Sequence, residues 1–207
     1  MSNSSEIYIV PEQFYELDQS HLVRLVADML TRLIEHNDRI PWKPDSITRF
    51  HSRSPPGISV HDYLQRIVKY TPVERAVLIV ILIYIDRVCA KHPNFIISSL
   101  TLHRYLITAV TVGSKALCDS YCTNSHYAKV GGVSTMELNL LELEFTFYME
   151  WDLIVSGEVI QTYYTNLVRE HPSYQFSSSD TPTVSDHSID DSSDYQINNN
   201  TATTFIN

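Results

Sequence analysis

The chain has 207 residues, 43% of them hydrophobic, with only five glycines, enough for one helix-rich domain with a substantial core. Of the formal net charge of −9, five negative charges (Asp180, Asp186, Asp190, Asp191 and Asp194) lie in residues 177–207, which contain no Lys or Arg, leaving about −4 for the rest. Neither part carries the clustered Lys and Arg that nucleic-acid binding requires.

Cys89, Cys118 and Cys122 are an odd count without a disulfide framework. No basic flank followed by an apolar core opens the chain, and the longest apolar run, residues 76–85, is too short to span a bilayer. The expectation is a soluble protein of a reducing, intracellular compartment, with no membrane contact. The sequons at Asn3 and Asn199 then have no chemical meaning.

Residues 1–17 read as a flexible N-terminus with one apolar patch, Ile7-Tyr8-Ile9-Val10, stopped by Pro11. A helix is expected from Asp18 or Ser20, where Leu22, Leu25, Val26, Met29, Leu30 and Leu33 recur at helical spacing. Pro41, Pro44, Pro55 and Pro56 make the next stretch an extended connector, so residues 18–57 are a flanking helix and linker. Ser59 with Asp62 resembles a capping box opening a helix over 60–70, in which Arg66 is spaced to pair with Asp62. Thr71-Pro72-Val73-Glu74 has the pattern of a helix start: Thr71 as N-cap, Pro72 at the first helical position and Glu74 as reciprocal partner. The helix it predicts, to about Lys91, is apolar on all faces over 76–85 and must be buried. Asp86 directly after that run needs a partner.

Ser99 is the expected N-cap of a helix over 99–119 that is apolar nearly all round. One line of that helix is polar: Arg104, Thr108, Thr111, Lys115 and Asp119, at +4, +3, +4 and +4. Such a stripe is either a solvated strip on a central helix or the strip where a partner docks. Residues 120–133 read as a polar loop ending in Gly131-Gly132. Ser134 and Glu137 form a second capping box, opening a helix to about Glu150 with Leu138, Leu141, Phe145 and Tyr148 on one side and Asn139, Glu142, Thr146 and Glu150 on another. A last helix covers 158–170. Residues 173–207, rich in Ser, Thr, Asn and Asp, read as a disordered tail, in which Thr181-Pro182 is a candidate phosphorylation site.

No catalytic constellation is found: no H-E-x-x-H, no phosphate loop, no G-x-S-x-G elbow, and no second cysteine or histidine pair at zinc spacing to complement Cys118 and Cys122. No cofactor or metal is expected. Residue patterns alone therefore reach an all-α domain without enzymatic machinery, with charged stripes on two adjacent helices.

The five helices from residue 60 to about 170, with Asp86 ending the second and Lys115 late in the third, resemble a cyclin box. Thr48-Arg49-Phe50-His51-Ser52, Pro55-Pro56-Gly57-Ile58-Ser59, Leu117-Cys118-Asp119-Ser120, Thr123-Asn124-Ser125-His126-Tyr127-Ala128-Lys129-Val130-Gly131-Gly132-Val133 and Glu137-Leu138-Asn139 are similar to the single-box, phosphate-type cyclins of fungi and the plant P/U-type cyclins. The resemblance implies a cyclin box over 58–172, a five-helix bundle around a central helix. It implies a regulatory subunit that binds and activates a cyclin-dependent protein kinase, in phosphate or nutrient signalling. A cyclin-fold interaction module of the transcription-factor-B-like type is the alternative, disfavoured by the missing basic face. By the resemblance, Arg66 and Asp86 form a structural pair between the first two helices. Lys115 and Glu142 grip the kinase; by helical spacing alone, and not by the resemblance, Asp119 is expected one turn beyond Lys115, within reach of an arginine of the kinase activation segment. Arg104 and Glu137 are candidates for docking a substrate, such as a phosphorylated transcription factor, or an inhibitor protein. The expected location is nucleus and cytoplasm.

Overall fold

A computed structural model describes residues 7–41 and 47–177, which form seven helices and two short strands. The order is β1 (Tyr8–Val10), α1 (Gln19–Asn37), α2 (Val60–Tyr70), α3 (Arg75–Lys91), α4 (Leu102–Leu117), α5 (Asn124–Gly131), α6 (Thr135–Tyr148), α7 (Gly157–Glu170) and β2 (Tyr174–Phe176). The region expected as a tail, including Thr181, lies outside the described residues from 178 onward. No helix of the described residues is long and apolar enough to cross a membrane.

Local chemistry sets most helix starts. Asp18 accepts from the Ser20 amide to cap α1, and the side chains of Ser59, Thr123, Ser134 and Ser156 accept from the amides of Asp62, His126, Glu137 and Val159. Each satisfies one of the orphan donors at a helix start. Two expected starts are different. The Thr71 hydroxyl donates to the Ile67 carbonyl at 2.7 Å, so Thr71 closes α2 rather than opening α3. Glu74 precedes α3 without a side-chain cap bond. Ser99 gives its amide to the Asp38 carboxylate at 2.9 Å, and α4 starts later, after Thr101.

The expected loop over 120–133 contains α5. Its two consecutive glycines have distinct roles. A Cβ on Gly131 would come within 2.4 Å of the Ile107 side chain, so Gly131 permits close approach to α4, whereas Gly132 has φ +73° and ends the helix in the left-handed region.

Helix α4 packs against α2, α3, α5 and α6, which makes it the centre of the bundle. Tyr105 on α4 lies among Phe50, Phe95 and Phe145, with ring centroids 5.9, 6.1 and 5.3 Å away. Residues 77–85 of α3 are all buried, as its continuous apolar run requires. Helix α1 packs on α2, α3 and α7.

The segments expected to be flexible at the two ends meet. Strand β1 pairs in parallel with β2, Tyr8 opposite Tyr174 and Val10 opposite Phe176. A two-stranded ribbon alone is marginal; here side chains of α1 secure it. His21 Nδ1 lies 3.0 Å from the Tyr174 hydroxyl, and Arg24 donates to the Tyr8 hydroxyl at 3.1 Å. Val10 is buried, and the Tyr164 hydroxyl on α7 donates to the Pro11 carbonyl at 2.6 Å.

Candidate partner-binding site

The polar line of α4 is not a solvated strip. Thr108 and Thr111 are fully buried, and their hydroxyls donate to the Arg104 and Ile107 carbonyls one turn back, both at 2.7 Å. That local bond lets a threonine lie in a core without an outside partner. The line therefore divides into two charged ends separated by buried hydroxyls.

At the C-terminal end, Lys115 Nζ lies 2.6 Å from Glu142 Oε1 on α6, with side chains 32% and 21% exposed. The second oxygen of Glu142 accepts from Asn124 Nδ2 at 2.7 Å. Sequence reasoning did not single out Asn124, although its first place in α5, after the Thr123 cap, sets it beside α6. Asp119 does not continue the line. Cys118 is extended (φ −112°, ψ 144°) and ends α4, so Asp119 stands exposed beyond the helix rather than one turn above Lys115.

At the N-terminal end, Arg104 on α4 pairs with Glu137 on α6, bringing together the two residues expected as one docking site. Arg49 joins them: its guanidinium lies 3.5 Å from Glu137 and 3.6 Å from Glu144, and its carbonyl accepts from Arg104 Nε at 2.9 Å. Glu137 therefore lends its amide to the capping of α6, while its carboxylate is drawn to two arginines instead of returning to Ser134.

Arg66 and Asp86 do not pair. Arg66 Nη2 donates to the Lys129 carbonyl at 3.4 Å, and Asp86 accepts from the Tyr163 hydroxyl on α7 at 2.6 Å. Asp62, the other expected partner of Arg66, bonds with the Ser59 hydroxyl at 2.7 Å. Helix α3 turns its carboxylate toward α7, and α2 turns its guanidinium toward the end of α5. Burial pushes the Asp86 carboxyl above the ordinary carboxylate range, and the Tyr163 bond pulls it partly back.

Helix α6, which carries Glu142, also shows an apolar line to solvent. Met136, Leu140, Leu143 and Phe147, at +4, +3 and +4, are exposed, Met136 by 74% and Phe147 by 59%. Trp151 and Ile154 extend the apolar surface beyond the helix, at 65% and 69%. Trp151 stands edge-on to Phe147, centroids 6.3 Å apart. The turn that presents it is held firmly. Glu150 and Trp151 both have positive φ, 51° and 63°, a conformation costly for residues with a Cβ. The end of α3 braces it: Lys91 donates to the Met149 carbonyl at 2.9 Å, Arg87 to the Asp152 and Ile154 carbonyls at 2.8 and 3.1 Å, and the Tyr84 hydroxyl to the Leu153 carbonyl at 2.7 Å. Large apolar side chains exposed in a row are the mark of a partner surface. Sequence reasoning assigned α6 only the side of Leu138, Leu141, Phe145 and Tyr148 and the side of Asn139, Glu142, Thr146 and Glu150, and so passed over this third line.

A bundle of this order around α4, with a lysine–glutamate pair joining α4 to α6, agrees with the match of the cyclin family model to residues 20–153. The chain belongs to the cyclin family. Within it, this cyclin is 46% identical over 169 residues to the Nuc-1 negative regulatory protein preg of Neurospora crassa, covering 80% of this chain and 35% of that protein. It is 43% identical over 150 residues to the PHO85 cyclin PHO80 of Saccharomyces cerevisiae, covering 70% and 51%. With Cyclin-U4-1 of Arabidopsis thaliana it shares 38% identity over 154 residues, covering 73% and 76%. The cyclin thus spans about a third to a half of the length of these fungal relatives and three quarters of the plant one.

Proposed function

We propose that this cyclin is the regulatory subunit of a PHO85-type cyclin-dependent kinase in phosphate signalling, with no catalytic residues of its own. The observation that carries the reading is the Lys115–Glu142 pair at 2.6 Å, whose glutamate stands on a helix that also carries an exposed apolar line. A partner helix laid on that face would bury Leu143, Phe147 and Trp151, which supply affinity. The lysine and glutamate would meet its charges and set its register. Activation then follows from holding the kinase's regulatory helix in one position. The yeast relative's name, a PHO85 cyclin, supports the choice of kinase. We assign substrate or inhibitor docking to the separate Arg49–Arg104–Glu137–Glu144 cluster, whose balanced charges suit a peptide bearing both signs.

The test is purification of the tagged cyclin from native cells with assay of the bound kinase. A PHO85-type kinase that gains activity on cyclin binding is expected. Lys115→Ala combined with Glu142→Ala should abolish most of that gain while leaving the cyclin folded. Full binding and activation by the double variant would overturn the assignment of the grip.

A further inference from the structure

Asn124 is the first residue of α5, and its side-chain amide turns wholly toward α6. Nδ2 donates to Glu142 Oε2 and to Asn139 Oδ1, both at 2.7 Å. The amide orientation follows from its neighbours, since the reverse would set Oδ1 against a carboxylate and a carbonyl oxygen. Asn124 Oδ1 is left buried without a hydrogen-bond partner. A bare buried acceptor is unfavourable, so this placement serves the donors. The Glu142 carboxylate is consequently held by two helices besides its own: Lys115 of α4 takes one oxygen and Asn124 of α5 the other. Asn139 is fixed by the same amide.

We propose that Asn124 is a positioning residue for partner binding, holding Glu142 in the orientation that receives a basic side chain of the kinase's regulatory helix. The inference rests on the kinase-grip reading above. Neutralising Lys115 alone would leave Glu142 still tethered, and removing Asn124 would leave it free to follow Lys115 to other rotamers. Side-chain freedom that must be lost on association lowers affinity. A glutamate already fixed from two sides loses little.

Asn124→Asp is the discriminating change. It keeps the shape, and a carboxylate in the first turn favours α5 through the helix dipole, so a role confined to starting α5 predicts a neutral or stabilising effect. A positioning role predicts the opposite for binding, because the new carboxylate replaces a donor 2.7 Å from Glu142 with a like charge. With purified PHO85-type kinase titrated by the cyclin, Asn124→Asp should raise the half-activating concentration by about tenfold, the loss of one hydrogen bond to a charged group. The free cyclin should stay folded, the helix-dipole gain offsetting part of the like-charge cost, and circular dichroism of the variant checks this. In a Glu142→Gln background, where the glutamine amide can donate to the new aspartate, the same substitution should cost less than about twofold. Asn124→Ala, which removes the donors without adding charge, should weaken activation several-fold and provides the test if the aspartate variant does not fold. Equal cost of Asn124→Asp in both backgrounds, or no cost of either variant while Glu142→Gln alone weakens activation, overturns the inference and leaves the grip standing. If Glu142→Gln and Lys115→Ala are both without effect, the grip reading falls, and this one with it.

Discussion

The Tyr163 hydroxyl donates to the Asp86 carboxylate at 2.6 Å, so the charge that ends the buried run of α3 is answered from α7. Tyr163→Phe removes that donor and leaves a half-buried carboxylate without it. The variant should lose about 1–3 kcal/mol of stability, read by urea denaturation at neutral pH. An unchanged midpoint would mean that water replaces the tyrosine at no cost.

Asp86 also sets a pH dependence. Its carboxyl in the folded chain titrates above the ordinary 3.8, chiefly through burial. As pH rises past that ordinary value the unfolded chain ionises first, so Asp86 subtracts stability over the window up to its folded pKa and by a constant amount above it. Asp86→Asn keeps the acceptor for Tyr163 and removes the charge. Its stability relative to the natural chain should therefore grow as pH rises from about 4 and stay higher at neutrality. Thermal melts at a series of pH values test this, and a difference that shrinks with rising pH would contradict it.

Arg66 should matter far less than a buried ion-pair partner would. Its guanidinium reaches only the Lys129 carbonyl, at 3.4 Å, on an exposed surface. Arg66→Ala should shift stability by less than about 1 kcal/mol. Breaking a buried pair would cost about 3–5 kcal/mol, so a single denaturation curve separates the two cases.

Trp151 combines 65% exposure with a braced turn, the combination expected of an interface anchor. Trp151→Ala should leave the melting temperature of the free cyclin nearly unchanged and weaken kinase binding by about 2 kcal/mol or more. Calorimetric titration with the kinase measures the second effect. Loss of stability without loss of affinity would reassign the residue to folding.

At the end of α5, Gly131→Ala sets a methyl 2.4 Å from the Ile107 side chain, whereas Gly132→Ala meets no atom within 4 Å but holds φ +73°. The first should cost about 1–3 kcal/mol through overpacking and the second about 1–2 kcal/mol through backbone strain. Truncating Ile107 in the Gly131→Ala chain should recover part of the first loss. The second has no neighbour to relieve it.

The residues that were legible in the sequence are those whose meaning is local or borne by unlike charges. The Ser59 and Ser134 caps follow from spacing alone, and Lys115 with Glu142 stood out as opposite charges on helices matched to a cyclin box. Asp86 shows where this ends. Its need for a partner is visible in the apolar run before it, but whether Arg66 or Tyr163 supplies the partner depends on how α3 is rotated, which spacing does not encode. Thr108 and Thr111 looked like solvated surface because a pattern cannot display a hydroxyl folded back on its own helix. Helix α5 escaped because Asn124, Ser125 and His126 are polar and its apolar contacts, through Tyr127, Ala128 and Val130, reach other helices. The line from Met136 to Phe147 was hidden for the opposite reason, since apolar side chains facing a partner and those facing a core look alike in one chain.

The parallel pairing of β1 with β2 has a consequence for attachment. In a parallel pair the first residues of both strands are neighbours, so the chain enters at Tyr8 beside Tyr174 and leaves at Phe176 beside Val10. Entry and exit are separated by about one three-residue strand, roughly 10 Å. In a chain trimmed to residues 7–177, a tag or linker fused at either cut therefore departs from one small area, against α1 and α7, whereas Lys115, Asn124 and Glu142 stand on α4, α5 and α6. Two different cargoes, one on each end, would be delivered close together, at the high effective concentration that short tethers produce. A chain trimmed to residues 7–177 and circularly permuted by a short bridge from Ser177 to Ile7 should fold, with new termini opened in the connector between α1 and α2.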